Sequence, residues 1–138
     1  MSKFKPQIIE ALSALEEITV YKCRMESIPT YPAVVIDYIA SPRDDYGMYA
    51  DITEQYDIYI LVVRDATISE IEDAWLIAEE SCESLTEQVI TALKQGCDGR
   101  ISIDREVSYG HDVVDGTWCA VGKIKVLGKH NKTYIGGD

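Results

Sequence analysis

One stretch constrains this chain more than any other. From Ser69 to Lys94, apolar residues recur at spacings of three and four: Ile71, Trp75, Ala78, Cys82, Leu85, Val89 and Leu93. That period predicts one long amphipathic helix with a single apolar stripe. Ser69, with Glu72 three residues on, has the spacing of a capping box. Lys94 stands where positive charge favours the helix dipole, and Gly96 marks the expected stop. Glu70, Glu72, Asp73, Glu79, Glu80, Glu83 and Glu87 fill much of the remaining surface, an acidic face that belongs in water. A helix with so clear a stripe must bury it, and the strand-like segments on either side are the expected partner.

Around this helix the chain reads in order. Lys5 to Ile18 is a first helix, with Pro6 in its first turn, where a missing N–H costs nothing. Its stripe is Ile8, Ile9, Leu12, Leu15 and Ile18. Thr19 to Glu26 reads as a strand. Ile28-Pro29-Thr30-Tyr31-Pro32 is a stiff connection, because each proline fixes its own φ and extends its predecessor. Ala33 to Ala40 and Gln55 to Val63 are strands. The second is apolar on both faces towards its end, which predicts a central position or a face covered by another subunit. Between them, Ser41 to Thr53 carries turn residues and reads as a long loop. After the long helix, Cys97-Asp98-Gly99 turns the chain. Ile101 to Ser108 is a strand, Tyr109 to Gly116 a polar turn, and Thr117 to Leu127 the last strand. Residues 1–128 then form one domain, and Lys129 to Asp138 a short polar tail. The order is α-β-β-β-α-β-β: an α+β domain with a mostly antiparallel sheet and helices on one face.

Charge narrows the function classes. The 138 residues include 24 acidic and 13 basic ones, a net charge of −11. A general nucleic-acid binder needs a basic footprint, which this chain lacks. The imbalance is local: Asp37 to Gly99 holds 15 acidic and 3 basic residues (3 − 15 = −12), whereas Ala120 to Asp138 holds four lysines and one aspartate (4 − 1 = +3). Opposite signs at different places on one protomer suit head-to-tail packing of identical subunits. The polar start from Met1 to Gln7 does not read as a secretory leader, and no apolar run reaches the length of a membrane span.

Residues that could carry chemistry are few. Cys23, Cys82, Cys97 and Cys119 are widely spaced with no CxxC pair, so they read as free structural thiols of a reducing compartment. His111, in Gly110-His111-Asp112, and His130 both read as surface histidines. Asp44 and Asp45 lack the ordered spacing of a calcium loop and read as solvated turn residues. No phosphate-binding glycine loop is present. The expectation is a protein that is not an enzyme and carries no cofactor and no metal. The residues singled out instead are Arg43, Asp44, Asp45, Tyr46, Met48 and Tyr49 of the long loop. They are a candidate interface, because aromatics and methionine are enriched where proteins meet.

The element order, with Tyr31-Pro32-Ala33-Val34-Val35-Ile36, the Gln55–Val63 strand, the long helix and the closing run Gly116 to Val126, resembles the tail terminator (tail-completion) proteins of long-tailed bacteriophages and related head–tail joining proteins. The resemblance spans roughly residues 5–128 and lies in element order, length and apolar pattern. It implies a structural virion protein: a homo-oligomer, a hexameric ring at the head-proximal end of the tail tube. Its partners would be the tail tube protein and a head-completion or connector protein. DNA would pass through the lumen without specific binding, and no membrane would be involved. Negative walls keep DNA from adhering. Two other readings stay open: a head-completion or neck ring protein, and a cytoplasmic ligand-binding α+β domain. A concavity lined by Tyr38, Tyr56 and Tyr59 would favour the last.

Overall fold

The computed structural model describes residues 3–97 and 99–133. The spine is a pair of long antiparallel strands, β4 (Tyr49–Val63) and β7 (Thr117–Thr133). They pair without interruption from Tyr49 opposite Thr133 to Val63 opposite Cys119. At ~3.3 Å per residue, β4 alone spans roughly 50 Å. β2 (Ala33–Ala40) lies antiparallel on the other side of β4, and β1 (Thr19–Tyr21) adds a short parallel strand beyond it. β3 (Arg43–Asp45) pairs with the beginning of β4. On the outer side of β7 lie β5 (Ile101–Ile103) and β6 (Ser108–Val114). Among the described residues this makes one seven-stranded sheet. The helices are α1 (Lys5–Ser13) and α2 (Ile71–Gly96). The class is α+β, with both helices on one face of a mostly antiparallel sheet.

The core lies between α2, α1 and that face. Ala78, Cys82, Leu85, Val89 and Leu93 of α2 pack with Ile8, Ala11 and Leu12 of α1. Below them are Val34, Ile36, Tyr56, Ile58, Ile60, Val62, Ala120, Ile124 and Val126, the alternate residues of three strands. The stripe read from the period of three and four is therefore the buried one, except at its start. Ile71 is 62% exposed, and Ala74 is the first buried residue of the helix. Trp75, one turn on, packs near Trp118 at the end of β7, so the first turn overhangs the sheet. The N-cap is Glu70 in extended geometry with no side-chain cap bond, so Ser69 and Glu72 do not form the capping box.

The other face of the sheet is partly covered by the chain itself. The connection after β1 crosses it: Ile28 packs with Ala33, Val35 and Leu61, and Tyr21, Tyr31, Tyr59 and Val121 gather round them. Ser27 Oγ bonds Asp115 Oδ2 at 2.8 Å, fixing the far end of the crossing. β4 is central, and this connection covers Leu61 of its outer face, with Tyr59 half-buried beside it.

Several sequence boundaries move. The first helix ends at Ser13, though Leu15 and Ile18 still pack against the core. The first strand stops at Tyr21 and the fifth at Ile103. Ser41–Thr53 is not a long loop but a hairpin, and Tyr109–Gly116 is not a turn but most of β6 and its connection. The last strand does not end at Leu127: residues 129–133 continue it against β4, so the polar tail begins no earlier than residue 134. Residues 134–138 and Asp98 of the Cys97–Gly99 turn lie outside the described residues.

Gly96 does not stop α2 by turning it; it is the last helical residue, and the cap is Cys97. Its role is steric. A methyl group there would overlap Ala11 of α1, whose backbone Cα lies only 2.9 Å away. Gly96→Val is therefore expected to force the two helices apart and to cost about 1–3 kcal/mol. Urea unfolding followed by circular dichroism reads this directly as a lowered midpoint.

Candidate interaction surfaces

The residues named from sequence come together at the β3–β4 hairpin. Asp45 pairs with Ala50, and the Tyr46 N–H donates to the Tyr49 carbonyl at 2.8 Å. Gly47 and Met48 are the two residues of the turn between them. Gly47 has a φ of +79°, the left-handed geometry that a tight hairpin asks of its first central residue. Tyr46, Met48 and Tyr49 are 54%, 63% and 45% exposed. The two tyrosine rings stack, with centroids 5.3 Å apart and planes 24° from parallel. Arg43 reaches Asp45 at 3.3 Å, so basic and acidic groups meet beside the rings. Asp44, also exposed, pairs in the ladder with Asp51. β2 ends opposite Gln55, so this hairpin extends the spine past it. The result is an arm whose end offers two stacked phenols and a thioether to solvent, a chemistry suited to contact between proteins.

The sequence reading missed a second feature at the base of the arm. Glu54 is only 1% exposed, on the helix side of β4. Its carboxylate accepts the Lys3 amide at 2.8 Å, the Phe4 amide at 3.2 Å and the Tyr56 hydroxyl. His130 Nε2, from the facing strand, lies 2.9 Å away. Burial alone would push this carboxyl up. The hydrogen bonds from Tyr56, Lys3 and Phe4, with His130 beside them, outweigh that and hold it below its ordinary 4.5. His130 is therefore no surface histidine of a tail; it is half-buried, and it helps to lock the N-terminal segment to the spine.

His111 stands on β6. Its ring stacks on Trp75, with centroids 3.8 Å apart, and its Nε2 meets Glu79 Oε2 at 3.0 Å. Trp118 meets Trp75 edge-on at 6.1 Å, and the Arg64 guanidinium lies 5.2 Å from the Trp75 ring. Cys82, Cys97 and Cys119 are free, buried thiols; burial pushes Cys82 up to about 11 and raises the other two. A buried thiol held protonated is a weak nucleophile.

Tyr38, Tyr56 and Tyr59 do not line one concavity. Tyr56 is buried in the main core with Tyr38 edge-on to it at 5.2 Å, while Tyr59 lies on the opposite face beneath the Lys123 ammonium. A groove of about 990 Å³ does run between α1 and α2, but Gln7, Glu10, Gln88, Thr91 and Gln95 line much of it, and neither the three tyrosines nor the β3–β4 hairpin residues reach it. Among the described residues no cluster of three or more His, Cys, Asp or Glu side chains is arranged to hold a metal, and no helix is long and apolar enough to cross a membrane. No family model matches the chain, and no curated protein matches it.

Proposed function

We propose that this chain is a structural, non-enzymatic subunit of a phage virion: a tail terminator that closes into a ring, six-membered by its resemblance, on the head-proximal end of the tail tube and joins tail to head. The observation that carries the reading is the β3–β4 arm. Two stacked tyrosines and a methionine at the end of an extended hairpin lack any role in the core of their own protomer. Exposed apolar groups of this kind mark a surface that another protein covers. Two further features support the reading. The helix-bearing domain is compact behind the arm, so the arm can engage a neighbour or the tube without unfolding anything. The strongly acidic composition suits a wall past which DNA slides, because it repels phosphates.

In this reading the ring encloses the DNA channel, and the partners are identical subunits, the tube protein below and a head-side connector above. Replacing Tyr46, Met48 and Tyr49 together by serine tests it. The fold should survive, because the lost cross-strand pair is worth only ~0.2–1 kcal/mol. Assembly should fail or weaken, because aromatic anchors supply much of an interface's energy. A circular-dichroism melt, sizing by light scattering and measurement of tube length with tail-tube protein read the three effects. Normal capping by the triple variant would remove the arm from the interface. A wild type that stays monomeric even on tubes would sink the proposal, and co-purification with heads instead of tails would move it to the neck.

A further inference from the structure

The outer edge of β6 is an open docking edge. β6 and β7 are joined by Asp115-Gly116, with φ of 52° and 75°, the pair of left-handed residues that a type I′ turn requires. In such a hairpin the flanking residues, Val114 and Thr117, form a hydrogen-bonded pair, and bonded and non-bonded pairs then alternate along the ladder. The backbone N–H and C=O groups of Tyr109, His111 and Val113 accordingly point away from β7. The Val113 amide bears this out, since it donates to the Asp112 carboxylate at 2.8 Å rather than into the ladder. β7 is the only described strand that pairs with β6. Asp112 blunts the edge near the turn, as charged side chains do on protected edges. No such device guards Tyr109 and His111.

Beside this edge runs a groove of about 400 Å³ between β6 and α2, lined by Leu76, Glu79, Glu80, Glu83, Tyr109 and His111. Its walls are acidic, while Leu76 and Tyr109, with Val113 and Trp118 close along the same face, are exposed apolar groups. A second copy pairing through its own β6 would bring Asp112 and the three glutamates of each protomer together, which like charges oppose.

We propose that β6 receives an extended segment of a partner protein whose side chains alternate basic and apolar. The segment would add a strand to the sheet by bonding Tyr109 and His111. Its basic side chains would project to the α2 face, where their ammonium groups meet Glu79, Glu80 and Glu83 and their aliphatic stems cover Leu76 and Tyr109, while the apolar residues between them project to the opposite face. Main-chain bonds supply the affinity in this mode, and the alternate side chains supply the choice of partner. The surface lies on the outer edge of the sheet, apart from the β3–β4 arm, so the two contacts are independent.

The test is calorimetric titration of the full chain with a synthetic peptide of alternating lysine and valine. Three comparisons decide it. The same peptide with glutamate for lysine should not bind. A copy N-methylated on the residues that face the edge should not bind, because it keeps every charge but cannot pair. Glu80→Lys/Glu83→Lys, which leaves the His111–Glu79 contact intact, should weaken binding about tenfold, as two partly exposed charges allow. Amide exchange at Tyr109 and His111 should slow when the peptide is present. Absence of saturable binding, equal binding of the N-methylated peptide, or an unchanged affinity in the double variant would each overturn the proposal.

Discussion

Glu54→Ala is expected to lower the stability of the fold by about 3–5 kcal/mol, the usual cost of removing one partner from a buried charged network. The carboxylate is the common acceptor for two backbone amides and a phenol, with the His130 ring 2.9 Å away. Without it, the buried amide of Phe4 loses its acceptor, and such a group costs ~1–3 kcal/mol by itself. Phe4 is part of the main core, so the loss spreads from the network to the packing of α1. Glu54→Gln keeps the shape and one acceptor oxygen and should cost about 1–2 kcal/mol. The pH dependence has a definite sign. A carboxyl held below its ordinary 4.5 in the folded chain contributes its full stabilisation above that pH. The contribution drains away as the pH falls through the folded value. Wild type should therefore lose stability on acidification below 4.5 more steeply than Glu54→Gln, and the gap between their urea midpoints should narrow. Parallel loss in both proteins would mean that the carboxylate is not what the N-terminal segment is tied to.

Leu85→Ala and Val89→Ala are the second large effect. Both side chains are buried between α2 and the sheet, at 5% and 0% exposure. Both belong to the main core cluster, where α2 packs on α1, β4 and β7. Leucine truncation in such a site costs about 2–4 kcal/mol from lost transfer energy and the cavity left behind. The valine, with less to lose, belongs at the low end. Near-wild-type denaturation midpoints for both would show that α2 is not what the sheet folds against.

How far the sequence could be read follows from what each signal measures. The stripe of α2 was legible because burial on one side of a helix leaves a period, and Ala78 to Leu93 obey it. The strands Ala33–Ala40 and Gln55–Val63 were legible as apolar runs. What escaped was polar. The first six residues of β4 are half polar and the last six of β7 lack any apolar side chain, and the group that ties them to the fold is buried Glu54 with half-buried His130. A hydrophobic period cannot register a charge that is buried because another residue, distant in sequence, answers it. β6 escaped because an edge strand is wet on both faces, although Asp115-Gly116 between two strand-length segments was a hairpin signal in plain view. At the arm the same six residues, Arg43 to Tyr49 without Gly47, were legible as exposed and aromatic. That they form a hairpin was not, since Gly47-Met48 is a less insistent turn sequence. The aromatic cluster of Trp75, His111 and Trp118 had no local trace at all, being assembled from three elements.

The unbroken ladder between β4 and β7 also carries a cost during folding. Val63 and Cys119, its nearest pair, are separated by all of α2 and the β5–β6 region, and Tyr49 must find Thr133. Closing such loops consumes chain entropy before any rung is gained, which slows a fold whose central contacts are distant in sequence. The β6–β7 hairpin and α2 need no such search and can form within their own lengths. The spine is then slower to close than either of them. Until it does, the apolar face of Gln55–Val63 and the underside of α2 stand open together, and that interval is when a half-folded copy is most exposed to pairing with the wrong strand.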